Sequence, residues 1–255
     1  MKLFDAHNHI QDNRLFSDLG AVMQRAADVG VVKMAVKGCC EADWPRVIEI
    51  CTRYSGTHSS FGLHPWFIQE RSEQWLKTLE NLLIQYPDAA VGEVGIDHAV
   101  EDRDDVAQEK VFFQQLDLAR KLERPVSIHC RRAWGRLIEL LDDFGELPRG
   151  MLIHCFGGSA EVAVELVKRG GYISFSGSIT RPNARKAGPA IRAVPDDRIL
   201  IETDSPDILP STAKGPLNEP ANVRLVLEKA AEFRGIPEEK LAELTFRNAG
   251  RFFGI

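Results

Sequence analysis

The feature that most constrains this chain is an alternation of pattern. Eight short apolar runs recur along it, near Leu3–His9, Val32–Gly38, Ser59–Leu63, Ala90–Ile96, Val126–Cys130, Met151–Phe156, Tyr172–Gly177 and Ile199–Asp204. Between them the hydrophobic period is helical. Ser17 to Val29 places Leu19, Val22, Met23 and Ala26 on one face, and QEKVFFQQLDLARKL places Val111, Phe112, Gln115, Leu118, Ala119 and Leu122 in one stripe. SAEVAVELVKRGG opens on an N-cap serine, Ser159, and closes on Gly-Gly. EPANVRLVLEKAAEFRG carries Pro near its start and Gly just past its end. Strands separated by helices pair in parallel, and eight strands alternating with eight helices predict an α/β fold, a (β/α)8 TIM barrel. No Pro-, Gly- or Ser-rich linker, low-complexity segment or further repeat divides the chain, so residues 1–255 are read as one domain.

Composition narrows the functions such a barrel can serve. The net charge of -5 argues against a broad basic surface for wrapping duplex nucleic acid, but leaves room for a local, metal-based phosphate site. The five cysteines are odd in number and form no CxxC pair, which reads as reduced thiols. No apolar leader precedes a small-residue cleavage site, and no apolar stretch approaches the ~18 residues of a membrane span. A cytoplasmic protein with no membrane partner is therefore expected. Nothing in the pattern specifies an oligomeric state.

Ligand-type side chains fall at the strand ends. FDAHNHI puts Asp5, His7 and His9 at alternate positions of the first strand, so that His7 and His9 point the same way. Glu93 lies in AVGEVGID of the fourth strand, His129 ends PVSIH, His154 ends MLIH, and Asp204 ends ILIETD. A barrel gathers all of these C-terminal ends around one mouth. Closure sets the eighth strand beside the first and so brings Asp204 to His7 and His9. The consecutive fourth, fifth and sixth strands group Glu93, His129 and His154. The expected centre is thus two divalent ions, with His7, His9 and Asp204 on one, His129 and His154 on the other, and Glu93 bridging. Imidazole-rich ligation suits Zn, Mn, Co or Ni better than Mg. Such a pair keeps net positive charge and favours an anionic substrate, as in phosphoester cleavage by a metal-activated water. Amide and lactone hydrolysis use similar sites.

The segments DAHNHI, GLHP, GEVGID, SIHCRRA, IHCFGGS, ETDSP, NEP and NAGRFFGI resemble, in order and spacing, the signatures of the TatD-like metal-dependent hydrolases. The similarity spans essentially the whole chain. It implies an amidohydrolase-type TIM barrel, a deoxyribonuclease activity usually described as magnesium-dependent, and metal ligation by His7, His9, Glu93, His129, His154 and Asp204. The chain departs from the family pattern at His98, where an aromatic is common, at Cys130 and Arg132, where Ser and Asp are common, and at Gly157, where Ser is common. These departures touch substrate choice and leave the ligands intact.

Other polar residues have two readings each. Asp204 serves as ligand, as general base, or as both. Asp5 and Glu202 either orient a ligand or lie in buried ion pairs. His64 faces the mouth and donates to a phosphate oxygen, or packs there. Arg131 clamps phosphate through its fork, or faces solvent. Arg181 and Lys214 sit on mouth loops. Trp66 stacks on a base or is simply half-packed. Cys130 and Cys155 are expected to point outward as packing thiols. The first reading is an exonuclease-like deoxyribonuclease preferring ends or single strands, with DNA or another phosphoester as its partner. The alternatives are a phosphatase or amidohydrolase-type enzyme on a small substrate, and a non-enzymatic nucleic-acid-binding barrel. Many amidohydrolases bridge their metals with a modified Lys on the fourth strand, and AVGEVGID has none.

Overall fold

Parallel pairing runs in unbroken order from the first strand to the last in the computed structural model, which describes residues 1–255. The strands are β1 (Leu3–Asn8), β2 (Val31–Lys37), β3 (Thr57–Phe61), β4 (Ala90–Asp97), β5 (Val126–Arg131), β6 (Met151–Ile153), β7 (Gly171–Phe175) and β8 (Ile199–Ile201). The helices are α1 (Asn13–Phe16), α2 (Leu19–Asp28), α3 (Trp44–Arg53), α4 (Trp75–Gln85), α5 (Asp105–Lys121), α6 (Trp134–Phe144), α7 (Ala160–Lys168), α8 (Ala187–Ala193), α9 (Val223–Arg234) and α10 (Glu238–Phe253). The (β/α)8 barrel expected from the alternation is therefore the fold. The helices exceed the expected eight because a single turn follows β1 and two helices follow β8.

Local signals act as expected where they are strong. Ser159 accepts from Val162 N at the start of α7, and Gly235 ends α9 in the left-handed conformation that a side chain disfavours. The stripe of α5 buries Val111, Phe112, Gln115, Leu118 and Ala119. β6 and β8 are shorter than their apolar runs, and the residues beyond them turn into the mouth loops.

The seam between β8 and β1 is held differently from the other seven. No regular ladder joins them, but Asp204 N donates to His7 O at 2.9 Å and His9 N to Ser205 O at 2.7 Å. Asp5 adds a side-chain bridge, accepting from Thr203 N at 2.8 Å and Thr203 Oγ1 at 2.7 Å.

Apolar residues form two cores. The larger lies between the strands and the helices. The smaller fills the N-terminal end of the barrel, where Phe4, Ala35, Leu152, Tyr172 and Leu200 pack with Phe252 and Phe253 of α10. Phe4 and Phe253 stack at 5.5 Å, so the last helix forms the floor. Above the floor the lining turns polar: buried Lys37 Nζ donates to Ser60 Oγ at 3.0 Å and lies 4.5 Å from the Phe253 ring. No helix is long and apolar enough to cross a membrane.

Candidate metal centre

Strand ends and two glutamines position the site. β4 carries Glu93 between glycines that let its backbone lie close to β5: a Cβ on Gly95, at φ +145°, would sit 1.9 Å from His129 O. From α5, buried Gln115 accepts from Leu63 N at 2.7 Å and donates to Leu63 O at 3.1 Å, fixing the main chain just before His64. Two turns earlier on the same helical face, Gln108 does the same for Asp97, at 2.8 and 3.3 Å. Asp204 adopts a left-handed φ of 58°, an unfavourable conformation that turns its carboxylate toward β1.

The four imidazoles among the six expected ligands converge on Glu93. Its Oε2 lies 3.3 Å from His7 Nε2 and 3.2 Å from His9 Nε2. Its Oε1 lies 2.7 Å from His154 Nε2 and 3.0 Å from His129 Nδ1. Asp204 Oδ1 falls on the first side only, 3.5 Å from His9 Nε2 and 3.8 Å from His7 Nε2, with His154 Nδ1 farther away at 4.0 Å. The two imidazole pairs face nitrogen to nitrogen, His7 to His9 at 3.2 Å and His129 to His154 at 3.1 Å. Two such nitrogens share either a proton or a cation. Metal–nitrogen bonds of 2.0–2.1 Å in a tetrahedron set ligand atoms about 3.3 Å apart, so the donor set fits a cation on each side of Glu93.

In three of the four rings the other nitrogen is hydrogen-bonded, which selects the inward one, whereas His154 Nδ1 is buried without a hydrogen-bond partner. His9 Nδ1 is 2.9 Å from Lys37 O, and His7 Nδ1 is 3.2 Å from Ser127 Oγ. His129 is turned the opposite way, with Nε2 3.1 Å from Asp97 Oδ2 and Nδ1 inward. His154 Nδ1 faces Glu202 Oε1 at 3.3 Å, and Glu202 is itself anchored by Cys155 N. Tautomers follow from these partners.

Burial and mutual charge set the protonation balance. Burial opposes ionisation of Glu93, yet His154, His64 and His7 hold its carboxyl well below the usual range. Asp204 is likewise opposed by burial, and the His9 hydrogen bond with the charges of His154 and His7 keeps it low. Burial also works against charge on His154, but Glu93 and Glu202 lift it to about 10. His7 goes the other way, pushed well below its ordinary value by burial and then by His154. The acids thus draw positive charge into the cluster, and one of the imidazoles stays neutral.

The remaining candidates divide. Glu202 touches a ligand, as one of its readings held. Asp5 touches no ligand imidazole and instead bridges the β1–β8 seam. His64 is buried, accepts from Trp66 N at 3.1 Å and presents Nε2 to Glu93 Oε1 at 3.3 Å, so its free N–H addresses the carboxylate. Trp66 is 53% exposed at the rim, with Nε1 donating to Asp97 Oδ2 at 2.7 Å. Arg131 is exposed. Cys130 is buried in the apolar core, as expected, but Cys155 departs from expectation. At φ 43° it leaves the strand course, and its thiol meets Ser176 Oγ at 3.0 Å, next to the mouth. All five cysteines are free thiols. Asp97, Ser127 and Cys39 were not foreseen. Asp97 shares a face and an alternate position with Glu93, a signal available in AVGEVGID. Cys39, after β2, sits 3.4 Å from His9 Nδ1 and 3.8 Å from Glu93 Oε2, its thiol kept neutral by burial.

A (β/α)8 barrel with four imidazoles and two acids gathered at its C-terminal mouth has the make-up of a metal-dependent hydrolase. The family model described as TatD related DNase matches residues 4–254, and the chain belongs to that family. It is 34% identical over 253 residues to the uncharacterized metal-dependent hydrolase YabD of Bacillus subtilis, covering 99% of each chain. It is 31% identical over 259 residues to the 3'-5' ssDNA/RNA exonuclease TatD of Cronobacter sakazakii, covering 98% of this chain and 97% of that one. The crystal structure of YjjV, a TatD homologue from Escherichia coli K12, superposes with a TM-score of 0.95 at 31% identity, over 99% of this chain and 98% of that one.

Proposed function

We propose that the chain, acting as one domain, is a nuclease that hydrolyses phosphodiester bonds of DNA from ends or in single strands. The observation that supports this most is the division of the Glu93 carboxylate, one oxygen toward His7 and His9 and the other toward His129 and His154. His7, His9 and Asp204 would hold one divalent ion, His129 and His154 a second, and Glu93 both. The nitrogen-rich set suits Zn, Mn, Co or Ni better than Mg. Bound there, such ions lower the pKa of a water and stabilise the charge that develops on the phosphoryl and leaving oxygens.

The protein's own groups supply the rest. Asp204 is the acid open to the mouth, its side chain 14% exposed against 3% for Glu93, and it takes the proton that the attacking water loses. His64 steadies Glu93 through Nε2. Arg131, two residues beyond His129 and free of any ion pair, offers its planar fork to the non-bridging phosphate oxygens. Trp66 presents an exposed face beside His129 on which a terminal base stacks. The relative named as a single-strand exonuclease supports a substrate with a free end.

The test is a panel of single-stranded DNA, duplex DNA, RNA and small phosphate esters, each with Mg, Mn, Zn, Co and Ni. Single-stranded DNA should be degraded fastest, and H154A and E93A should abolish the activity. Hydrolysis confined to small esters, or unaffected by either substitution, would overturn the reading.

A further inference from the structure

Ion pairs neutralise part of the arginine complement of this protein. Arg14, Arg25, Arg136, Arg169, Arg224 and Arg234 each lie within 3.1 Å of a carboxylate oxygen. One stretch concentrates unpaired cations. RPNARKAGPAIRAV, residues 181–194, holds Arg181, Arg185, Lys186 and Arg192 and not one acid, in a chain of net charge -5. All four cations are exposed, and none has an ion-pair partner.

Three of them line one depression. It has a volume of about 360 Å³ and runs between α8 and α9, bounded by Thr180, Arg181, Arg185, Arg192, Lys229 and Phe233. Lys229 is compensated by Glu232 at 2.9 Å, so the uncompensated charge is that of the arginines. Arg192 spends one N–H on Phe233 O at 3.2 Å and keeps the others free. Its upper end lies beside the mouth loops: Thr180 follows β7, and its Oγ1 accepts from Ser211 N at 2.8 Å in the loop that begins at Asp204. From there the groove follows α8, whose seven residues span ~10 Å. That is about three nucleotides of a stacked strand.

We propose that this groove is a track for the sugar-phosphate backbone of a single polynucleotide strand, holding phosphates a few nucleotides away from the bond being cut. The proposal rests on the nuclease reading above and adds a length preference to it. Cations in a row without acids recognise a repeated anion, and a groove that starts beside the mouth loops makes that anion the continuation of the substrate. The groove touches no base-specific group, so it reads charge and spacing rather than sequence.

The test uses phosphorothioate-linked oligothymidylates of three and twelve nucleotides, with binding followed by fluorescence anisotropy from low to moderate salt. Hydrolysis of bis(p-nitrophenyl) phosphate reports on the metal centre in the same preparations. For R185Q/R192Q the twelve-mer should bind about tenfold more weakly, and the slope of log K against log salt should become shallower by about 1.4, two contacts at ~0.7 each. The three-mer should lose far less. K186Q, which flanks the groove without lining it, serves as a control for diffuse charge. An unchanged salt slope for R185Q/R192Q, equal losses for both oligonucleotides, or an equal loss for K186Q would overturn the track and leave the nuclease reading standing. Failure of the wild-type protein to bind either oligonucleotide would overturn both.

Discussion

Asp97 Oδ2 lies 3.1 Å from His129 Nε2, and that contact turns the ring's other nitrogen toward Glu93. Among the four histidines proposed as ligands, this is the one that faces inward through Nδ1. Its orientation depends on a carboxylate that is itself held by Trp66 Nε1 and Ala99 N, on a main chain fixed by Gln108. Asp97→Asn keeps the shape but offers an amide that can present the wrong group to Nε2. Affinity for the ion proposed at His129 and His154 should fall about 10–100-fold. Competitive titration against a chelator with Mn or Zn measures this, and an unchanged affinity would remove Asp97 from the site.

Glu93→Gln should disturb both sides of the centre at once, because each oxygen of the carboxylate serves a different imidazole pair. Elemental analysis should show metal content dropping on both sides rather than by a single ion. Chelation of the wild type should lower Tm, since ligands that bind only the folded state stabilise it by about 2.7 kcal/mol at a hundredfold excess over Kd. The variant should show little or no such shift.

Trp66 combines two properties that substitution can separate. Trp66→Phe keeps an aromatic face and loses the N–H to Asp97, whereas Trp66→Ala loses both. If a base stacks there, Ala should raise KM for single strands by about tenfold, within the ~1–3 kcal/mol range for base–aromatic stacking. Phe should raise it much less. Steady-state kinetics on one oligonucleotide with both variants decides.

His58 tests the barrel floor through pH. It is buried beside Phe253, and burial, then Lys37 and Lys33, push its pKa from 6.5 down to about 3. Between those values the unfolded chain binds a proton that the folded chain refuses, so stability falls as pH drops through this window. His58→Leu removes the linkage. Between pH 7.5 and 5 the wild type should lose about 2 kcal/mol more than the variant, as read from urea unfolding. Parallel curves would contradict the burial argument.

Asp5 is predicted to matter for folding rather than chemistry. It accepts four hydrogen bonds, from Thr203 N, Thr203 Oγ1, Asn8 Nδ2 and His7 N. Asp5→Ala strands the Thr203 N–H at the one seam without a ladder. The expected cost is about 2–4 kcal/mol, measurable by urea denaturation of metal-free protein.

Much of this architecture could be read before any coordinates. The alternation of short apolar runs with stretches of helical period specified the strands and the barrel, and closure alone placed Asp204 beside His7 and His9. What escaped were properties decided by partners from elsewhere in the chain. Which nitrogen of His129 faces inward depends on Asp97, at the end of the neighbouring strand. His64 looks like a mouth donor until Trp66 N occupies its Nδ1 and leaves Nε2 for Glu93. Cys155 obeys strand alternation on paper, and a positive φ overrules it. Periodicity reports on which face a residue occupies along a regular element, and these positions lie where regularity stops.

The stacking of Phe4 on Phe253 joins the two extremes of the polypeptide. A nascent chain would expose Asp204, the last of the proposed ligands, well before α10 can supply the aromatic stopper on which the inner wall rests. Assembly of a competent centre therefore waits on the arrival of its most distant support, and removing α10 should silence an enzyme whose chemistry lies at the opposite end of the barrel.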